Sequence, residues 1–272
     1  MSSEQVVLTI VTVTFNAEAY IAKTIESVLN QAGCSERLTL EYVFVDGKSS
    51  DRTTEIIASY QHLLEAKNIS VRIICETDKG IYDAMNKGVS CSGGRWILMM
   101  NAGDVLYNDK VFCHMENRLL NSDAEVLYGD YCRKNAFLDE VRHMPPIDNL
   151  RYGMILCHQS VLVRNKLHER LTYDLSFRLD ADYHLLLKAY LSGAKFEYLP
   201  ICIVSYDLRG LSAKQMLRAY SEEFTIRRTL GASGNSTSEK LKYFIGYSKR
   251  FILTLLPEKL RWKIYHILKK ND

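Results

Sequence analysis

The sequence predicts an α/β protein, with a mainly parallel central sheet covered by helices on both faces. Three observations carry this. Short apolar runs at Val6 to Val13, Leu40 to Val45, Val71 to Cys75 and Trp96 to Met100 alternate with segments of helical apolar spacing. Such near-continuous apolar runs suit strands buried on both faces. Each of the last three is followed by a turn that carries an acid, where open α/β sheets hold their ligands.

In chain order, Val6 to Val13 is the first strand and Thr14-Phe15-Asn16 turns out of it. Asn16 is a good N-cap for a helix with Ile21, Ile25, Val28 and Leu29 on one face, ended by Gly33. Leu40 to Val45 is the second strand and closes on Asp46-Gly47. Ser50 or Asp51 caps the next helix, whose apolar face includes Ile56, Ile57 and Leu63 or Leu64. Val71 to Cys75 is the third strand, followed by Glu76-Thr77-Asp78-Lys79-Gly80 and a short helix from Ile81 to Val89. Gly93-Gly94 leads into the fourth strand, which ends in Asn101-Ala102-Gly103-Asp104 ahead of a helix from Asn108 to Leu120. Ala124 to Tyr128 is another strand, ending in Gly129-Asp130. Asp139 to Tyr152, with Pro145-Pro146, reads as irregular. Cys157 to Val163 begins a strand, a helix runs from near Asp182 to Gly193, and Phe196 to Leu199 is a strand.

The chain has 272 residues, room for one large α/β domain or two small ones, and the composition of an ordinary enzyme. Seven cysteines stand singly, an odd number with no C-x-x-C pair, which points to reduced thiols and a cytoplasmic setting. Val6 to Val13 is too short and too β-branched for a signal peptide, and no eighteen-residue apolar run offers a membrane span.

Asp46, Asp78 and Asp104 all follow strand ends. Any one of them is also readable as a solvated loop acid, and Asp104 as a cap for the helix after it. Three carboxylates at one sheet edge repel, and a donor-rich ligand or a cation offsets that repulsion. No G-x-G-x-x-G follows the first strand and there is no Walker A loop, which weakens a dinucleotide or P-loop reading.

Four motifs together carry a resemblance. They are Thr12-Val13-Thr14-Phe15-Asn16, Val45-Asp46-Gly47-Lys48-Ser49-Ser50-Asp51-Arg52-Thr53, Asp78-Lys79-Gly80-Ile81-Tyr82-Asp83-Ala84-Met85-Asn86-Lys87-Gly88 and Met100-Asn101-Ala102-Gly103-Asp104. In this order the chain resembles family 2 glycosyltransferases, above all bacterial enzymes of exopolysaccharide, capsule and O-antigen synthesis. The resemblance implies a GT-A fold (Rossmann-like) over about residues 1–215. Residues 1–105 would be the nucleotide-sugar half and 106–215 the acceptor half, with 216–272 a separate helical region.

It also implies transfer of a sugar, with inversion, from a UDP- or GDP-linked donor to a glycan or lipid-linked acceptor. Thr14, Phe15 and Asn16 would lie along the nucleotide and Asp46 would take a hydrogen bond from the base. Asp78 and Gly80 would flank base and ribose. Asp104 would hold Mg²⁺ or Mn²⁺, with Asn101 beside it where many relatives carry a second acid. Asp182 would be the catalytic base, with Asp180 second to it, at a helix N-terminus that keeps a carboxylate ionised. The helix-cap reading of Asp182 stays open. His158 and Gln159 would face the acceptor, His158 being also readable as an interior histidine. Arg209 would clamp the diphosphate. A sugar-phosphate nucleotidyltransferase is a different class with a similar site, but it calls for a Gly-rich basic loop where Thr14-Phe15-Asn16-Ala17 stands. A non-catalytic scaffold with the same fold is a third reading.

The net charge of +3 is uneven: from Lys240 onward nine Lys or Arg face two acids, a local +7 that leaves −4 elsewhere. Those basic residues interleave with large apolar ones, and Pro257 splits the segment into two amphipathic helices. This pattern predicts a peripheral contact with an anionic inner-leaflet membrane surface, or else packing on the domain or in a homodimer, and it argues against nucleic acid.

Overall fold

A computed structural model describes residues 6–135, 138–207, 215–233 and 236–255. At its centre is β1 (Leu8–Thr14), paired in parallel with β2 (Leu40–Asp46) on one side and β4 (Trp96–Asn101) on the other. β3 (Ile69–Cys75) adds in parallel to β2. The remaining strands are β5 (Val105–Leu106), β6 (Val126–Asn135), β7 (Leu138–Arg142), β8 (Val161–Arg164) and β9 (Phe196–Asp207). The sheet order is β3-β2-β1-β4-β8-β6-β9-β5, with β7 paired to β6. β8 runs against β4 and β6, while β6 and β9 are parallel, so the curled sheet stays mostly parallel.

Helices cover both faces, as the sequence predicts. The first face takes α1 (Ile21–Leu29), α2 (Thr53–Glu65) and α4 (Val111–Asn121). There Trp96, Leu98 and Met100 pack with Ile25, Ile57 and Phe112 in one buried cluster. The second face takes α3 (Ile81–Ser90), the short α5 (Asn165–His168) and α6 (Ala181–Leu191). There Ile97 and Met99 pack with Met85 and Leu186. Alternate residues of β4 serve opposite cores, which is why the strand is apolar along its length. Gly88 of α3 lies so close to the sheet that a Cβ there would meet Val11 Cγ1 at 2.4 Å.

Two helices follow β9, α7 (Met216–Thr229) and α8 (Thr237–Thr254). α7 belongs to the second core: Ile226 is fully buried in it. α8 stacks on α7, with Tyr243 against Phe224 at 4.0 Å and Tyr220 at 5.3 Å between ring centroids. No helix among the described residues is long and apolar enough to cross a membrane.

Several local expectations change. Asn16 is not an N-cap; it sits at φ 49° and bonds across to the β2 turn. Tyr20 takes the cap position of α1 without a side-chain bond. Asp139 to Tyr152 is irregular only at 143–146, around Pro145-Pro146; the rest lies in β7 and a 3₁₀ turn at Ile147–Tyr152. β6 runs well past Tyr128, through a register shift at Gly129 to Tyr131, and β9 runs well past Leu199. His158 lies in a 3₁₀ turn, His158–Ser160, just ahead of β8.

Candidate active site

Because β1 to β4 are parallel and in register, their four C-terminal turns meet at one edge. A left-handed residue marks each: Asn16 after β1 (φ 49°), Lys48 after β2 (φ 62°), Gly80 after β3 (φ 124°) and Gly103 after β4 (φ 106°). Left-handed backbone outside glycine is uncommon and concentrates at functional sites.

Hydrogen bonds tie the first two turns together. Asp46 is fully buried. Its Oδ2 accepts from Thr14 Oγ1 (2.8 Å) and Ser49 Oγ (2.6 Å), and its Oδ1 from the Ser49 amide (2.7 Å) and Cys75 Sγ (3.7 Å). A carboxylate so placed offers no exposed oxygen to a base. Asn16 Oδ1 accepts from the Ser50 amide at 2.9 Å, and the Asn16 amide donates to Ser49 Oγ at 2.8 Å. The third turn closes on the second. A Cβ on Gly47 would stand 2.4 Å from Asp78 Oδ2 and 3.4 Å from the Phe15 ring. Asp78 Oδ1 accepts from the Gly80 amide (2.8 Å), and Phe15 is 65% exposed beside it. An open ring next to a fixed carboxylate can stack and orient a heteroaromatic base.

In the fourth turn Asp104 is almost buried, and its Oδ2 accepts from the Asn101 amide (3.1 Å) and Gln159 Nε2 (3.0 Å). Thr24 of α1 receives the Gly103 amide at 2.8 Å. Asn101 Oδ1 is buried without a hydrogen-bond partner. Among the described residues no three His, Cys, Asp or Glu side chains gather as a metal-binding group. One carboxylate beside one unpartnered amide oxygen suits a hard cation that takes its other ligands from a diphosphate and water.

Gln159 leads to the other carboxylates. Next to it, His158 Nε2 shares a 2.9 Å hydrogen bond with Tyr173 Oη, and burial lowers the His158 pKa. His158, Tyr173 and Asp182 line one small enclosed cavity. Tyr82 of α3, two residues past Gly80, donates to Asp182 Oδ1 (2.9 Å) and to the Leu179 carbonyl (2.7 Å). Burial, and then the Asp182 charge, push the Tyr82 pKa well up, so its proton stays in place. Asp182 lies in the first turn of α6, its Oδ1 held by Tyr82. Asp180, at the N-cap, is different. Its Oδ2 is buried without a partner. Burial, then Asp182, Glu223 and Glu222, push its pKa up to about 8. Asp180 therefore keeps its proton at neutral pH.

The structure therefore gathers Thr14, Phe15, Asn16, Asp46, Asp78, Gly80, Asn101 and Asp104 at one edge, linked through Gln159 and Tyr82 to His158, Asp180 and Asp182. Arg209 lies outside the described residues. His158 Nε2 is engaged by Tyr173, and Gln159 bonds Asp104 through Nε2 and Cys157 Sγ through Oε1. Sequence reasoning missed Tyr82, Thr24 and Ser49. Tyr82 stands inside the third motif, and that was its signal; Thr24 is an ordinary helix residue and carried none.

Comparison with known proteins gives the same direction. The family described as "Glycosyl transferase family 2" matches residues 9–183. A "PGL/p-HBAD biosynthesis glycosyltransferase" of Mycobacterium bovis is 27% identical over 224 residues, covering 80% of this chain and 84% of that one. Staphylococcus aureus TarS 1-349, solved in complex with UDP-GlcNAc, superposes with a TM-score of 0.64 at 17% identity, over 82% of this chain and 65% of that one. The mannosyltransferase PcManGT of Pyrobaculum calidifontis, solved with GDP-Man and Mn²⁺, gives 0.61 at 16% identity, over 84% and 68%. The fold is that of GT-A glycosyltransferases. With the family match spanning most of the sheet and all four turns, this chain belongs to glycosyl transferase family 2 and is a glycosyltransferase.

Proposed function

We propose that this enzyme transfers a sugar, with inversion, from a UDP- or GDP-linked donor to a glycan or lipid-linked acceptor in bacterial surface polysaccharide synthesis. The observation that carries the proposal is the joining of Asp182 by Tyr82 to the edge where Asp78 and Asp104 lie. The donors bound by TarS and PcManGT support the nucleotide-sugar class.

In this reading Phe15 stacks on the base and Asp78 accepts from it across Gly47. Asp46 shapes that turn from beneath, holding Thr14, Ser49 and Cys75 in place. Asp104 and Asn101 Oδ1 would hold Mg²⁺ or Mn²⁺, which would spread the charge of the departing diphosphate. Arg209 would add a cation to the same group. Gln159 and His158 fix the Asp104 turn and the Tyr173 wall on the acceptor side. Asp182 takes the proton of an acceptor hydroxyl. The freed oxygen forms a bond to C1 from the opposite face, and the electron pair of the C1–O bond leaves with the nucleoside diphosphate. Tyr82 holds the Asp182 carboxylate still, and Asp180, uncharged at neutral pH, does not add to the charge there.

The tail contributes a surface. α8 exposes Leu241, Phe244, Ile245, Phe251 and Ile252, with exposed Leu255 just past its end, while Tyr243 turns inward to α7. With the basic excess of the region, this stripe fits the anionic inner face of a membrane and supports a reading in which the enzyme works from the cytoplasmic side on a lipid-linked acceptor.

Asp182→Asn tests the mechanism. Release of nucleoside diphosphate from UDP-GlcNAc or GDP-mannose with Mn²⁺ should fall by about 10²- to 10⁴-fold. The thermal shift given by the donor should persist. Equal loss of donor binding would contradict the assignment.

A further inference from the structure

The residues just before α6 are held from outside the strand-end motifs. Glu222 of α7 sends one oxygen, Oε2, to two consecutive amides, Arg178 N at 2.9 Å and Leu179 N at 2.8 Å. Its other oxygen, Oε1, meets Arg218 Nε at 3.2 Å, and the side chain is only 14% exposed. On the far side of the same residue, the Leu179 carbonyl accepts from Tyr82 Oη at 2.7 Å, and Tyr82 Oη also contacts Asp182 Oδ1 at 2.9 Å. Leu179 is thus gripped through its amide by α7 and through its carbonyl by α3. The tyrosine that grips it also touches the proposed base.

We infer that Glu222 is a positioning residue for Asp182: it fixes the Leu179 backbone, and through it the geometry in which Tyr82 meets the base. The inference rests on the reading of Asp182 as base. Three further features fit this role. The two amides precede the first turn of α6 and have no partner within that helix. A charged acceptor serving two backbone donors at once is stronger than a neutral one. α7 itself is anchored on both sides of Glu222, since Ile226 is fully buried and Ser221 hydrogen-bonds Tyr243 of α8 at 3.1 Å. Neighbouring Glu223 pairs with Arg227 at 3.1 Å, and Arg227 also holds the Tyr152 carbonyl, so the helix is tied to the acceptor half.

The test uses the full chain with UDP-GlcNAc or GDP-mannose and Mn²⁺, measuring nucleoside diphosphate release and amide hydrogen exchange. Glu222→Ala should lower kcat by on the order of 10- to 100-fold, the cost of a misplaced catalytic group, with donor KM within about twofold. Exchange at the Arg178 and Leu179 amides should quicken. Glu222→Gln keeps an oxygen in the same place and should restore most of kcat. Glu222→Asp keeps the charge but withdraws it by one methylene, so it should lose kcat like alanine without leaving a cavity. The inference is overturned if kcat in the alanine and aspartate variants stays near the parent value while Asp182→Asn is inactive. It is also overturned if glutamine is no better than alanine, or if kcat and donor affinity fall together. If Asp182→Asn itself keeps its turnover, the base assignment fails, and this role for Glu222 fails with it.

Discussion

Asp180 gives the sharpest quantitative expectation. Its carboxyl moves from an ordinary 3.8 to about 8 on folding, driven by burial and by Asp182, Glu223 and Glu222. Below the unfolded value both states carry the proton and nothing is lost. Between about pH 4 and about pH 8 the unfolded chain ionises while the folded chain must keep its proton, so stability falls as pH rises. Above about pH 8 the loss is complete. Four units at 1.36 kcal/mol each set an upper bound of about 5 kcal/mol. An interior that responds to charge more than dry protein does leaves roughly 2–3 kcal/mol of that. Asp180→Asn removes the titration and keeps the shape. It should match the parent near pH 4 and exceed it by roughly 5–10 °C in Tm at pH 8, at some 2–4 °C per kcal/mol for a chain of this size. Thermal unfolding followed by circular dichroism across that range measures the gap. A gap that does not change with pH, or a parent that is the more stable protein at pH 8, would refute the argument.

Other expectations follow from single contacts. Gly47→Ala places a methyl 2.4 Å from Asp78 Oδ2, so Asp78 must move. The thermal shift given by UDP-GlcNAc or GDP-mannose should then fall to near zero, while intrinsic stability drops by about 1–3 kcal/mol. Asn101→Asp supplies a second carboxylate where an unpartnered amide oxygen now lies. It should lower the Mn²⁺ concentration needed for half-maximal thermal stabilisation by about tenfold, and an unchanged requirement would count against a metal at Asp104. Phe244→Glu with Phe251→Glu charges the exposed face of α8 without touching Tyr243. Sedimentation with phosphatidylglycerol vesicles should be lost; if vesicle binding persists while a dimer dissociates in ultracentrifugation, the face contacts a second copy instead.

The first half of the fold was legible because each strand carries a largely apolar run that ends in a turn. The start of β6, up to Tyr128, was legible too, but the rest of β6 and all of β7 were not, because polar residues pair there within the sheet. Asp130, nearly buried, accepts from Tyr198 Oη at 2.8 Å and meets His143 Nδ1 at 2.7 Å, and buried Arg133 pairs with Glu140 at 2.9 Å. Charges paired this way break the apolar pattern that marks a buried strand. The site divides along the same line. Carboxylates that follow strand ends announce themselves by position, as Asp78 and Asp104 did. Asp46 announced itself too, but its partners Thr14, Ser49 and Cys75 come from three separate segments, and only the folded chain reveals that they enclose it. Glu222 had no local signal at all, since an acid on a surface helix is the commonest of residues. The boundary drawn after residue 215 also placed α7 outside the catalytic unit, although Ile226 completes the second core.

The seating of Gly88 against Val11 sets how far α3 stands above the sheet. One end of that helix carries Tyr82, and its hydroxyl must arrive within a hydrogen bond of both Leu179 and Asp182. A spacer as small as a methyl under the helix would tilt this lever and shift its tip by a comparable distance. Efforts to retarget the enzyme to another donor have more freedom at Phe15, Lys48 and Lys79, whose side chains project from turns rather than from the fulcrum.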